Sequence, residues 1–345
     1  MSSAESDGNR QPGLIALCVV MLILAVVSVA LRCWSIWGSP THKFGYDDAF
    51  AILTLPFIIA ESALIFYWIS LGLGRHSATL PISNQLEGPK IVFAAAYLYD
   101  ACITLPKLSV LCFYDRVLRR GASWLRPTIW VVGTLCVCWL IGAWLATTFQ
   151  CTPIDASWEV VPNARCFKQW KFFTGTAAPS AILDLIILLI PLPLLWSLHM
   201  TKAKKVLLTG LFICGYSVVI VSVGRLITLL KAGSALEADL TWSTIEYICW
   251  VQCEGPISLM SVCLPNIMEL ARRLRRRNMQ QSTGALSLSV SKQTASDLLS
   301  CNRSFRPIEE DREAILMDMH SGTPNRYHTQ MTIDATRSVS ERDSV

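Results

Sequence analysis

The chain has 345 residues, of which 52% are hydrophobic and only 16% are charged. Soluble domains carry about 25% charged residues, so this composition argues against a soluble protein and indicates a membrane protein. The net charge of +5 does not indicate a nucleic-acid partner, because the basic residues lie beside apolar segments rather than on one face of a soluble domain.

Seven segments have the length and apolar composition of spanning helices, which need about 20 residues. They are Leu14–Trp37, Ala49–Leu71, Ile91–Tyr114, Pro127–Phe149, Phe172–Trp196, Val206–Leu230 and Trp242–Ile267. The first is too long for the core of a signal peptide and no basic region precedes it, so we expect it to stay as a span. The sequence therefore predicts an all-α, polytopic membrane protein with a seven-transmembrane-helix bundle, in which residues 1–12 are a short N-terminus, residues 13–276 the transmembrane domain and residues 277–345 a tail.

Lys and Arg residues in the short loops predict the orientation of this bundle. One side collects basic residues with few acids, namely Lys43, Arg116, Arg119, Arg120, Arg126, Lys202, Lys204, Lys205 and the run Arg272–Arg277. On the other side the basic residues are diluted by Glu5, Asp7, Glu87, Asp155, Glu159, Glu237 and Asp239. We expect the first side to be cytosolic, with the N-terminus outside and the C-terminus in the cytosol.

The tail after the last span is rich in Ser, Thr, Arg and Asp and has no sustained apolar period. Such a composition cannot bury enough apolar surface to fold alone, so we expect the tail to be disordered. The basic run Arg272–Arg277 directly precedes it. This run fits a stop-transfer signal, a binding site for anionic membrane lipid, or both.

Most of the 13 cysteines lie inside the apolar segments, where cysteine acts as a small apolar side chain. Cys151 and Cys166 differ, because both lie in the loop CTPIDASWEVVPNARC on the side predicted to be outside. In an oxidising compartment such a pair predicts a disulfide, with two free thiols as the alternative. No cluster of further ligands accompanies the pair, so we predict neither a metal nor a cofactor.

We select seven charged side chains that fall inside the predicted spans, where a charge costs roughly 2.5–3.5 kcal/mol on insertion scales. They are Glu61, Asp100, Lys107, Asp184, Arg225, Glu246 and Glu254. From their depth along each helix we expect Arg225 to pair with Glu246 or Asp100, and Lys107 with Asp184 or Glu254. Such pairs either only hold the bundle together or form a functional polar network, and both interpretations stay open.

Several stretches, in this order and spacing, resemble one family. They are GYDDAF, GLGRH, KLSVLCFYDR, CTPIDASWEVVPNARC, DLIILLIPLPLLWSLHMTKAKKVLLTGLFICG, WSTIEYICW and CLPN. The chain resembles the fungal rhodopsin-like seven-helix integral membrane proteins, a group with the satratoxin-cluster membrane protein and the Pth-type receptor-like proteins. The resemblance implies a receptor-like membrane protein connected with secondary metabolism, and it implies no particular chemistry.

Three classes of function are compatible with these features, and the sequence assigns the protein to no particular membrane. A receptor for a small lipophilic ligand is favoured, with Asp115 and Arg116 as a switch at the inner end of the third span and a G protein as a partner. Retinal binding is not expected, because Trp242–Ile267 contains no lysine for a Schiff base. The alternatives are a membrane-embedded cyclase or isomerase that uses the buried carboxyls, and a transporter of a lipophilic metabolite. No catalytic motif is present, so the sequence favours a protein that is not an enzyme.

Overall fold

The computed structural model describes residues 10–38, 44–76, 80–118, 125–159, 161–193, 202–233 and 240–304. The helices are α1 (Gln11–Trp37), α2 (Tyr46–Leu71), α3 (Ile82–Leu118), α4 (Leu125–Thr148), α5 (Gln169–Leu189), α6 (Lys202–Ala232), the short α7 (Leu240–Ser243) and α8 (Ile245–Ser304). All but α7 contain a segment long and apolar enough to cross a membrane. The predicted all-α fold with seven spans is confirmed.

The chain divides into two compact units, Met1–Arg275 and Arg276–Val345. The first contains all seven apolar spans, the last of which is Ile245–Arg275. In the second unit the residues as far as Ser304 are helical, whereas the sequence predicted a disordered tail over residues 277–345. Residues 278–304 contain no proline, so no backbone N–H is missing that would end the helix there. The rest of the predicted tail, residues 305–345, and the first nine residues lie outside the described part of the chain.

The loop between α4 and α5 is closed by a disulfide. Cys151 and Cys166 are joined with a sulfur–sulfur distance of 1.98 Å, and they face each other in a two-stranded antiparallel sheet of β1 (Cys151–Thr152) and β2 (Arg165–Cys166). The ring of Trp158 lies 5.1 Å from the ring of Phe93 on α3. The predicted bridge is confirmed, and the contact between Trp158 and Phe93 places the bridged loop against α3.

Helix α3 is the centre of the bundle, because it packs against α2, α4 and α5. One apolar cluster joins α3, α4 and α5 through Leu111, Ile129 and Leu183. Other apolar side chains point outward, and on α1 and α4 they include Val20, Ile23, Trp130, Val131 and Leu145, all at least half exposed. Apolar surface of this extent is stable against lipid and not against water.

Candidate functional site

A cavity of about 70 Å³ lies between α2, α3, α5, α6 and α8. Its walls are partly aromatic, with Trp68, Tyr99, Phe172, Phe173 and Tyr247. The charged groups that line it are Glu61, Asp100 and Arg225. We call this space the core cavity. It combines apolar walls with a few converging polar groups, the usual composition of a small-molecule site.

A second cavity, of about 190 Å³, lies beneath the disulfide and is lined by Cys151 and Cys166. We call it the vestibule. It shares six lining residues with the core cavity, namely Val92, Ala96, Thr147, Gln169, Phe172 and Phe173. The two spaces are therefore neighbours, and the charged residues Glu61, Asp100 and Arg225 line only the core cavity.

The guanidinium of Arg225 pairs with Glu254, with 3.0 Å between Arg225 Nε and Glu254 Oε2. Both side chains are buried, at 3% and 1% exposure. Tyr99 donates its hydroxyl proton to Glu254, and the Arg225 guanidinium lies 5.1 Å from the centre of the Tyr99 ring. Nε and the terminal nitrogen Nη2 of Arg225 have no hydrogen-bond partner, so the contact with Glu254 is an ion pair that leaves donors of the guanidinium free.

A second buried pair joins Lys107 on α3 to Asp184 on α5, with 3.1 Å between Nζ and Oδ1. Lys107 also donates to two oxygens of Ser180, the hydroxyl at 2.7 Å and the carbonyl at 3.1 Å. Of the two partners that depth suggested for this lysine, the structure brings it to Asp184.

Ser222 on α6 connects the two pairs, since its hydroxyl lies 2.9 Å from Asp184 Oδ2 and 2.6 Å from Glu254 Oε1. A hydroxyl has one proton, so Ser222 donates to only one of these carboxyl groups at a time. The contacts run without a break from Tyr99 through Glu254, Ser222 and Asp184 to Lys107. Sequence analysis missed Ser222 because a buried serine carries no signal in a hydropathy pattern.

Two carboxyl groups of the core cavity stand apart from these pairs. Glu61 on α2 is 3% exposed, its Oε1 has no hydrogen-bond partner, and the Cys102 thiol hydrogen-bonds the same carboxyl group. Asp100 on α3 is 6% exposed and lines the cavity. Burying a carboxyl group with an unsatisfied oxygen is costly, so Glu61 needs a proton, a water molecule or a ligand.

The structure differs from the predicted partners of Arg225. Its carboxylate partner is Glu254, not Glu246 or Asp100. Glu246 lies in the first turn of α8, is 71% exposed and is 3.7 Å from Arg10, so it is outside the intramembrane network. The depth estimate failed because an arginine stem spans several ångströms and reaches a partner at another depth.

Four charged residues form a second cluster at the opposite end of the bundle, which we call the inner cluster: Arg32, Asp47, Asp48 and Arg116. Arg32 is fully buried and lies 3.0 Å from Asp47 and 2.8 Å from Asp48. It also donates to the Val262 carbonyl of α8 at 2.7 Å. The cluster thus links α1, α2, α3 and α8. Sequence analysis did not select Arg32, although an arginine near the end of an apolar span was the available signal.

Arg116 at the inner end of α3 pairs with an aspartate of α2, and the switch role of Asp115 and Arg116 stays a prediction. The distance from Arg116 to Asp47 is 2.8 Å, while Asp115 lies 3.9 Å from Arg126. The guanidinium lies where a side chain at Gly45 would stand, since a Cβ there would be 1.5 Å from it. Glycine at position 45 therefore allows Arg116 to reach Asp47.

In the described ranges, no group of three or more His, Cys, Asp or Glu residues is placed to hold a metal ion.

A crevice of about 760 Å³ also lies between α2, α3 and α4. Its walls are largely apolar, and Asp115, Arg116 and Arg126 line it. The predicted switch residues thus border a space that is separate from the core cavity.

A family model described as the fungal rhodopsin domain matches residues 31–273. The "Polyenoic acids biosynthesis gene cluster protein Ba17b" of Metarhizium anisopliae is 29% identical over 279 residues, which is 76% of this chain and 74% of that protein. The "SAT4 family membrane protein" of Emericella nidulans is 24% identical over 66% of this chain and 56% of its own length. The "Satratoxin biosynthesis SC1 cluster protein 4" of Stachybotrys chartarum is 26% identical over 47% of this chain and 58% of its own length. No solved structure matches the chain at a significant level.

Proposed function

The chain belongs to the fungal rhodopsin domain family, and on this premise we propose that it is a receptor-like membrane protein that binds a small lipophilic molecule between its helices. It is a multi-pass membrane protein with seven spans. Relatives of the chain are named for biosynthetic gene clusters. We therefore take a lipophilic product or intermediate of secondary metabolism as the ligand.

The observation that carries this proposal is the core cavity with its vestibule. Apolar residues are the majority of the lining in both spaces, while Asp100 and Arg225 provide charged groups in the core cavity. A lipophilic molecule with one polar end fits this distribution, because its body replaces lipid contacts and its polar end finds a partner.

The buried contacts provide a physical route from the cavity to the inner end. Arg225 lines the cavity and pairs with Glu254 on α8, and the same helix accepts a hydrogen bond from Arg32 at Val262. A ligand that moves Arg225 changes the position of α8, which changes the inner cluster in turn. Coupling requires two arrangements of such an element. Nucleotide exchange on a G protein that depends on the ligand is the expected readout of a change between them.

Ligand binding is tested without knowing the ligand, by retention from a fungal mycelial extract. Ala96 lines both cavities, whereas Ala94 on the same helix is exposed. Protein purified in nonionic detergent should retain a small molecule that Ala96→Trp loses and Ala94→Trp keeps, as detected by mass spectrometry. Equal retention by all three proteins, or by none, would count against the proposal.

A G protein is the partner that we propose for the inner end, where Arg116 is partly exposed at 36%. The retained molecule should stimulate nucleotide exchange on a G protein in reconstituted vesicles. Arg116→Ala should abolish the stimulation, while Arg126→Ala, on the exposed arginine that is 3.9 Å from Asp115, should preserve it. Stimulation that survives Arg116→Ala would refute this role.

A second candidate function is acid catalysis on the same lipophilic molecule, and Glu61 is the observation that favours it. Its buried carboxyl has one oxygen without a partner, as a general acid in a dry site requires. Purified protein would then convert a compound of the extract into an isomer of equal mass, and Glu61→Gln would abolish the conversion. Retention of the compound without conversion would leave the receptor proposal and exclude the enzyme.

We also propose that the N-terminus is outside and that Arg272–Arg277 contact anionic lipid in the cytosolic leaflet. The disulfide supports an oxidising environment for the loop between α4 and α5. A tag at the N-terminus should be stained in intact cells and a tag at the C-terminus only after permeabilisation. Staining of both tags in intact cells would contradict this orientation.

A further inference from the structure

The charges around the core cavity are not balanced within the part of the chain that the structure describes. Arg225 is the one cation in its lining, and Glu254 lies 3.0 Å from it. Lys107, the nearby cation on α3, is 3.1 Å from Asp184. Each of these two cations thus has its own carboxylate. Glu61 and Asp100 are two further carboxyl groups of the lining. Because Asp100 interacts with the same Arg225 and Lys107, four carboxyl groups share two cations.

The geometry points to a specific ligand class, and this inference rests on the function proposed above. We propose that the ligand of the core cavity is a lipophilic molecule with a protonated amine, which lies between Glu61 and Asp100. Its apolar body extends into the vestibule. A cation here offsets the cost of burying two carboxylates. Its electrostatic attraction to them is stronger than in water, because the surroundings are of low polarity.

The aromatic walls favour the same chemistry. Trp68, Tyr99, Phe172, Phe173 and Tyr247 line the cavity, and the faces of aromatic rings attract organic cations. Arg225 already makes a contact of this kind, at 5.1 Å from the Tyr99 ring centre. A small head group surrounded by rings and two carboxylates is the environment in which ammonium groups are bound.

The free oxygen of Glu61 supplies an independent observation. Glu61 Oε1 is buried and has no hydrogen-bond partner, although buried polar atoms almost always have one. An ammonium N–H donates to such an oxygen, whereas a carboxylate or carbonyl ligand would face it with a second acceptor. An acidic ligand is therefore disfavoured at this end, despite the free donor on Arg225.

The cavity volumes match a two-part ligand. The core cavity of about 70 Å³ holds a small head group, and the vestibule of about 190 Å³ holds an apolar body. Phe93 and Phe167 join the shared residues in lining the vestibule. The amine should therefore enter first, with the ring or chain of the ligand following below the disulfide.

The test compares 4-phenylbutylamine, 4-phenylbutanol and 4-phenylbutyrate, which share one apolar body and differ in the polar group. Binding to full-length protein in nonionic micelles is measured by titration calorimetry, with Ala96→Trp as the baseline for partition into micelles. The amine should bind at least about tenfold more tightly than the alcohol, and the acid should bind most weakly.

The variants Glu61→Gln and Asp100→Asn should each reduce the preference for the amine over the alcohol. The control Glu246→Gln, on the exposed carboxylate near Arg10, should preserve it. The two single variants are independent, so failure of one to fold leaves the other as a test.

Three outcomes overturn the ligand class. They are equal or tighter binding of the alcohol, no saturable binding of the amine, and an amine preference that neither carboxyl variant alters. Saturable binding of the alcohol that Ala96→Trp abolishes would at the same time support the proposed function. The two proposals therefore fail separately, because retention from the extract tests the cavity without reference to charge.

Discussion

Lys107 and Asp184 provide a direct test of how buried charge supports this bundle. Their Nζ and Oδ1 atoms are 3.1 Å apart, and both side chains are 5% exposed. Lys107→Met keeps the apolar volume and removes the cation, which leaves Asp184 with at most one hydrogen bond, from the Ser222 hydroxyl that it shares with Glu254. Removing one partner of a buried pair costs about 3–5 kcal/mol. We expect the free energy of unfolding to fall by an amount in this range.

Replacing the aspartate instead of the lysine should lower the free energy of unfolding by less. Asp184→Leu leaves Lys107 with two acceptors on Ser180, at 2.7 and 3.1 Å. The double variant Lys107→Met, Asp184→Leu removes both charges and should be more stable than Lys107→Met alone, because no unpaired charge stays buried. The assay is equilibrium unfolding in mixed micelles of increasing SDS content, monitored by far-UV circular dichroism.

The matched control is another lysine of the same helix. Lys90 lies 2.9 Å from Glu87 in an exposed pair, so Lys90→Met should leave stability unchanged within error. Equal effects of Lys90→Met and Lys107→Met would refute the reasoning. So would a double variant as unstable as the sum of the two single variants, because the two charges would then act independently.

Three further predictions use the same unfolding assay. Arg32→Met should lower the free energy of unfolding by about 3 kcal/mol or more, because it leaves buried aspartates without their cation. Arg116→Met should lower it by less, because that arginine is 36% exposed. The opposite order would contradict the assigned roles. Gly224→Ala should cost about 1–3 kcal/mol, since a Cβ there would lie 2.8 Å from a tryptophan ring of α8. Gly142→Ala, which meets nothing within 4 Å, should cost nothing, and equal effects at both glycines would show that close packing is not the cause. Cys151→Ser should lower the free energy of unfolding by about 3 kcal/mol, the loop-closure value for a loop of this length. The gel mobility of this variant should be the same with and without a reducing agent. An unchanged unfolding curve would show that the bridge adds no stability.

The membrane spans and the family resemblance were both predictable from the sequence. The spans follow from hydropathy, and the resemblance follows from the order and spacing of short stretches. Hydropathy alone locates spans such as α4, with its predicted range Pro127–Phe149 and observed range Leu125–Thr148. The disulfide was also predictable, because the two cysteines are 15 positions apart in one loop and two free thiols were the alternative. Such features depend on neighbours along the chain, so a single sequence contains them.

The polar contacts were predicted less well. Glu246 and Glu254 belong to one helix, about 12 Å apart along its axis, yet one is exposed near Arg10 and the other is buried beside Arg225. Depth within a span does not reveal which way a helix is rotated. The inner cluster shows the same limit, since Arg32, Asp47 and Arg116 come from three helices and no spacing in the sequence relates them.

The sequence by itself determined that seven apolar helices cross a membrane and that a bridged loop joins the fourth and fifth spans. It did so because burial in lipid depends on the hydrophobicity of consecutive residues, summed over each segment. Only the tertiary structure decided that Arg225 pairs with Glu254, that Arg116 pairs with Asp47 and that Glu61 is left with a free oxygen. These contacts depend on the rotation and packing of helices that are distant in sequence, and a few tens of degrees of rotation would replace each partner by another.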